Sequence, residues 1–144
     1  MNVETRLIAG SDTHPLRHAI LRPAQPLAEM QYPGDDDRTT FHLGAFVDGD
    51  LIGIASVYQQ PMPDAAGDTH HRLRGMAVAP DHAGRGIGRQ LVEVSLDTVR
   101  AAGGTLLWCN ARASAKGFYE RLGFTVQGDV FDLAGIGPHY VMSR

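Results

Sequence analysis

A chain of 144 residues, 43% hydrophobic and 20% charged, has the makings of one ordinary globular domain with a real core and is too short for two. A formal net charge of −3 excludes a general basic surface for nucleic acid. The single cysteine, Cys109, excludes an intrachain disulfide framework and suits a reducing cytoplasm, and the Met1 to Arg6 stretch lacks the apolar run of a signal peptide or membrane span.

Val3–Ile8 reads as a first strand, followed by a turn at Gly10 to Thr13. His14-Pro15 then opens a helix, because proline is preorganised for the first helical position. That helix is expected to carry Leu16, Ile20 and Leu21 inward and to stop near Arg22-Pro23. Residues 24–30 add a short second helix. Residues 32–38 form a loop in which Asp35, Asp36 and Asp37 lack a calcium-loop pattern and read as a solvated turn. Apolar runs at 41–47 and 51–58 flank Asp48-Gly49, a hairpin signal. Residues 60–67 are too rich in Pro and Gly to form an element. Residues 71–78 form the next strand, with Gly75 marking a bulge or a close backbone approach. A helix over 88–102 buries Leu91, Val94, Ser95 and Val99 and ends at Gly103-Gly104. A buried-type strand (105–109), a helix (113–122, closed by Gly123) and strands at 124–127 and 139–142 complete the chain. With no repeat, low-complexity tract or linker, residues 1–144 read as a single domain.

The stretch from Met76 to Leu91 is the most informative. The apolar run ends at Pro80, and a turn brings Gly84, Gly86 and Gly88 at every second position before the helix. Strand, glycine loop and helix start gather backbone N–H groups at the positive end of a helix dipole, which is a phosphate cradle. A nucleoside-triphosphate loop needs Lys-Ser/Thr after the last glycine, where Arg89-Gln90 stands. A dinucleotide fingerprint needs G-x-G-x-x-G and an acid about twenty residues on. Leu106 and Leu107 stand there instead.

Residues 80–92 resemble the acyl-coenzyme A loop of the GNAT acetyltransferase superfamily, whose pattern is Arg/Gln-x-x-Gly-x-Gly/Ala at a helix start after a strand. Ala115-Lys-Gly-Phe-Tyr-Glu-Arg-Leu-Gly-Phe124 resembles that family's second signature, and the element order from Val3 to Arg144 is similar throughout. The resemblance implies an α/β (α+β) fold with a mixed, mostly antiparallel sheet flanked by helices. It implies transfer of an acetyl group from acetyl-CoA to a primary amine of a small-molecule or peptide acceptor, by direct attack, without metal, nucleic acid or membrane. Met76, Ala77 and Val78 would run beside the pantetheine arm, with a backbone N–H near Met76 or Ala77 serving the oxyanion. Ala83, Gly84, Arg85, Gly86, Ile87, Gly88 and Arg89 would hold the pyrophosphate. Ala83 departs from the family's Arg or Gln, a loss that Arg85 and Arg89 could offset. Arg112 stands where many members have Asn, so Asn110, two residues earlier, inherits no role.

Tyr119 matches the family tyrosine that acts as general acid toward the leaving sulfur; its position off the Phe118–Leu122 stripe separates it from plain core packing. His139, entering the last strand after Gly-Pro, is the candidate base or acceptor contact. Asp68, His70, His71 and Arg74 lie on or before the central strand, and water chains could take the proton instead. His14 and His18 lack a further ligand pair for a metal, Cys109 reads as a small core residue, and Arg17 and Arg22 read as solvated rather than as receptors for an acidic acceptor. The alternative is a non-catalytic acyl-CoA-binding or sensing module, against which Tyr119 argues. Hydroxyl transfer is a smaller variation, and exposed edge strands leave a homodimer open.

Overall fold

The computed structural model describes residues 2–144. Hairpins set most of the sheet. Asp48 and Gly49 both take positive φ (51° and 84°), the turn whose twist matches paired antiparallel strands. They join β2 (Phe41–Val47) to β3 (Asp50–Gln59), and β2 also pairs antiparallel with β1 (Val3–Ile8). The remaining strands are β4 (His70–Val78), β5 (Leu106–Arg112), β6 (Thr125–Leu133) and β7 (Gly137–Ser143). Among the described residues they complete a seven-stranded sheet of order β1-β2-β3-β4-β5-β7-β6, in which only β4 and β5 run parallel. Three α-helices accompany it among the described residues: α1 (His14–Leu16), α2 (Ile87–Ala101) and α3 (Lys116–Arg121).

The two faces of the sheet differ in kind, because successive side chains alternate sides. On one face Leu43, Val57, Leu73 and Leu107 meet the buried stripe of α2, made of Leu91, Val92, Ser95, Leu96 and Val99. Each large apolar side chain buried here contributes about 1.5–3 kcal/mol relative to exposure. Ser95 satisfies its hydroxyl on Leu91 O at 2.7 Å. Val94, expected inside, is only half-buried. The other face carries His42, Ser56, Tyr58, Arg72 and Arg74 in register across β2, β3 and β4.

The first helix starts at His14 as expected, but Leu16, Ile20 and Leu21 are only half-buried, and Arg17 is the side chain that goes fully inside. The segment lies over the polar face, so its inward position takes a guanidinium. Its last turn is wide, with Arg22 N–H donating to Arg17 O at 3.0 Å. The helix expected over 24–30 shrinks to one turn, Leu27–Glu29. Pro26, with its fixed φ and no N–H, confines helical structure to the residues after it. β6 outruns its expected end at 127, resuming its pairing with β7 at Phe131 after an irregularity that holds Gly128 at φ 78°.

Candidate active site

β4 and β5 pair only where His70, His71 and Arg72 face Leu106, Leu107 and Trp108. Beyond that point the strands part, and a cavity of about 290 Å³ opens between them. Alternation divides its wall: Leu73, Cys109 and Ala111 belong to the apolar face, while Arg72, Arg74, Asn110 and Arg112 belong to the polar one. A bulge shapes the β4 side. Pairing with β3 jumps from Ile54–Ala77 to Ser56–Arg74, so Gly75 and Met76 together oppose Ala55. The bulge is one of the two features expected at Gly75, which takes φ +63°.

Met76 also lines a second cavity of about 470 Å³, formed with Val78, Ala83, Gly84, Gly86, Ile87, Gly88, Arg89 and Phe118. Eight of the ten coenzyme positions expected from sequence therefore wall one continuous region. Ala77 is buried against β3, and Arg85 is exposed on the loop. Gly84 and Gly86 stand at φ 77° and 78°, a left-handed conformation that strains any residue with a Cβ. No side chain caps α2 at Gly86, so its first-turn amides are left for a ligand or water. Arg89 reaches Glu93 at 3.0 Å in an exposed pair, an attachment weak enough to yield to an anion. Ala83 is exposed and brings no charge.

Tyr119 lines the split cavity from α3 and is 8% exposed. Its ring is fixed edge-on against Phe118 (5.0 Å) and Phe124 (5.3 Å). Burial, together with the adjoining Cys109, pushes the phenol well above its ordinary pKa. Burial likewise pushes the Cys109 thiol up to about 12, against a smaller opposing effect of its hydrogen bond with Tyr119. Both groups are therefore protonated at neutral pH. Cys109 is the core residue expected, and a poor nucleophile, since the thiolate is the reactive form.

The polar face holds a network the sequence did not announce. Arg17, expected in solvent, is 0% exposed and grips Asp35 in a fork, Nη1 to Oδ2 at 2.6 Å and Nη2 to Oδ1 at 3.0 Å. Arg17 also donates to Met30 O (2.8 Å) and Ser56 Oγ (2.9 Å). Asp35, expected as part of a solvated turn, further accepts from the Tyr58 hydroxyl (2.5 Å) and the Tyr32 N–H (2.8 Å). Burial by itself would raise this carboxyl, but the donors Arg17, Tyr58 and Tyr32 outweigh it and hold the group at about 2. The same burial and the carboxylate push Tyr58 up to about 12. The Tyr32 ring then gathers three guanidinium groups, those of Arg17 (4.0 Å), Arg22 (4.6 Å) and Arg74 (4.6 Å).

His139 does not line the split cavity. It is 4% exposed on β7, with Nδ1 at 2.8 Å from Gly137 O and its ring 6.0 Å from Phe131. His70 and His71 sit where β4 is still paired with β5, short of the opening, and His70 Nδ1 accepts the Met62 N–H at 3.3 Å. Asn110, left without a role, does line the cavity, and its Oδ1 is buried without a hydrogen-bond partner. Only the pairing of β4 with a short parallel β5 could have pointed to it.

The glycine loop thus runs into the gap of the split sheet, where the buried Tyr119 stands. The sequence model of the acetyltransferase (GNAT) family matches residues 11–124, and the chain belongs to that family as an N-acetyltransferase. It is 39% identical over 142 residues to the uncharacterized N-acetyltransferase YitI of Bacillus subtilis (strain 168), covering 99% of this chain and 95% of that one. The crystal structure of Escherichia coli ElaA superposes with TM-score 0.79 at 19% identity, over 99% of each chain. An aminoglycoside 6'-N-acetyltransferase complexed with coenzyme A superposes with TM-score 0.77 at 16% identity, over 100% of this chain and 96% of that one. Among the described residues no helix is long and apolar enough to cross a membrane.

Proposed function

We propose that the protein transfers an acetyl group from acetyl-coenzyme A directly to a primary amine. The observation that carries this reading is the run of one cavity into the next at Met76, from the glycine loop to the split beside Tyr119. The loop amides around Gly84 and Gly86 and the first turn of α2 hold the pyrophosphate. Past Arg72 the β4 edge has lost β5 as its partner, so its backbone can pair with the extended pantetheine arm. The bulge at Gly75 and Met76 takes an N–H out of the β3 register, and that N–H serves the thioester oxygen as it gathers charge.

Tyr119 gives its proton to the departing sulfur. A buried phenol is a weak acid, but a thiolate released into the same apolar surroundings is correspondingly basic, as the neighbouring Cys109 thiol at about 12 illustrates. The neutral state of Cys109 removes the one thiol in reach as an acyl carrier, which favours direct attack. The amine approaches from the polar face and can donate an N–H to the vacant Asn110 Oδ1. Its proton leaves through water, and His139, outside the cavity wall, is given no step. Incubation with acetyl-coenzyme A and a varied amine panel tests the proposal by thiol release. Coenzyme binding without thiol release for any acceptor would favour a non-catalytic binding module.

A further inference from the structure

Arg72, Arg74 and Arg112 all reach the split cavity from the polar face, and among the described residues no acidic side chain shares its wall. None of the three is held by a carboxylate among those residues, in contrast to Arg6 with Glu4, Arg17 with Asp35 and Arg89 with Glu93. Asp35, buried on the same face, is already taken by Arg17 and Tyr58. Aromatic rings hold two of the arginines instead: Arg72 lies over Trp108 at 5.2 Å and Arg74 over Tyr32 at 4.6 Å. Stacking fixes a guanidinium plane while leaving its N–H edge unused. Arg72 Nε is buried and has no hydrogen-bond partner. Arg72 and Arg74 are two apart on one strand and so on one side, where like charges repel.

Three uncompensated cations around a half-enclosed space call for an anion. Asn110 Oδ1, in the same cavity and also unpartnered, is an acceptor suited to an amine N–H. We infer that the acceptor is a small amine that also bears a carboxylate or phosphate, its anion on Arg72, Arg74 and Arg112 and its amine at Asn110. The inference rests on the reading of the split cavity as the place of acyl transfer, and it excludes polyamines as preferred acceptors.

Thiol release from acetyl-coenzyme A would be followed with α- and ω-amino acids and aminoalkyl phosphates, against butylamine and spermidine. The expected result is a kcat/KM at least about tenfold higher for an acid-bearing amine, lost mainly through KM in R74Q and R112Q and partly recovered in R74K. Arg112 is exposed, so R112Q keeps the test alive if R74Q fails to fold. Calorimetry on the coenzyme A-loaded protein, with N-acetylglycine and inorganic phosphate as probes, separates the two anion chemistries without needing turnover. Probe binding that R112Q weakens, with no thiol release from any amine, would leave the anion site standing and overturn the proposed reaction. Spermidine or butylamine outperforming every acid-bearing amine would overturn the anion site and leave the reaction standing. Binding of neither probe, with no preference for acid-bearing amines, would also overturn it.

Discussion

Replacing Asp35 with Asn removes the countercharge of a guanidinium that is 0% exposed. Arg17 would keep Met30 O, Ser56 Oγ and an amide oxygen, but no negative charge. Breaking one side of a buried pair costs about 3–5 kcal/mol. A second route gives a consistent lower figure: the carboxyl sits at about 2 rather than 3.8. At about 1.4 kcal/mol per pH unit, that difference makes the ionised carboxylate worth about 2–3 kcal/mol to the fold. Asn loses this and also the charge on which Arg17 depends. With a urea dependence of about 2 kcal/mol per M, a loss of about 4 kcal/mol lowers the unfolding midpoint by about 2 M. Circular dichroism in urea would read it. The sign of the pH dependence follows from a depressed carboxyl: its stabilisation is complete above pH 4 and is lost as pH falls from about 4 towards 2. Wild type should show that loss and D35N should lack the Asp35 share of it. Converting Arg17 to Met in the D35N background should recover stability, because no buried charge then remains. A D35N cost below about 1 kcal/mol, or no recovery in the double variant, would refute the buried-pair account.

Tyr119→Phe should lower kcat by about 10²- to 10⁴-fold with coenzyme A affinity nearly unchanged by calorimetry; unaltered turnover would remove Tyr119 as the acid. Gly86→Ala forces a Cβ into φ 78° at the helix start, and the strain of about 1–3 kcal/mol should weaken coenzyme A binding or shift the melting temperature. An unchanged dissociation constant and melting curve would show that the loop tolerates a side chain there. Cys109→Ala should keep turnover within about tenfold, whereas a loss of several orders of magnitude would revive a covalent route.

Features coded by neighbouring residues were legible in the sequence. Asp48-Gly49 announced the hairpin, the alternate glycines announced the open loop before α2, and the residues around Phe118-Tyr119 announced a helix there, which forms as the shorter Lys116–Arg121. What escaped depended on contacts across the chain. Arg17 meets Asp35, Ser56 and Tyr58 at separations of 18, 39 and 41 residues, and nothing near any of the four marks a buried charge. Taken singly, Arg17 and Asp35 looked like solvent-facing side chains, the ordinary fate of their types. The backbone of the 32–38 loop was foreseen, while its role as the carrier of Asp35 was not. His139 illustrates the same limit: period-two patterning gives the strand, but not whether a partner such as Phe131 covers the ring.

The position of the site follows from one topological fact. A parallel pair needs a crossover, and here α2 supplies it between β4 and β5, so the helix begins near the C-terminal end of β4. The two strands share only the first three residues of their pairing because each then follows a different antiparallel neighbour. β4 bends with the bulge opposite Ala55, and β5 runs from Trp108 to Arg112 against β7. The opening therefore falls at the same end as the glycine cradle, without a dedicated cavity having to be carved from the core. A split sheet also exposes both of its faces to one gap. Tyr119 and the glycine loop border it from the apolar face, and Arg72, Arg74 and Asn110 border it from the polar face. In the proposed reaction an acyl carrier and an amine approach from opposite sides, which is the arrangement direct transfer requires, since neither has to leave before the other arrives.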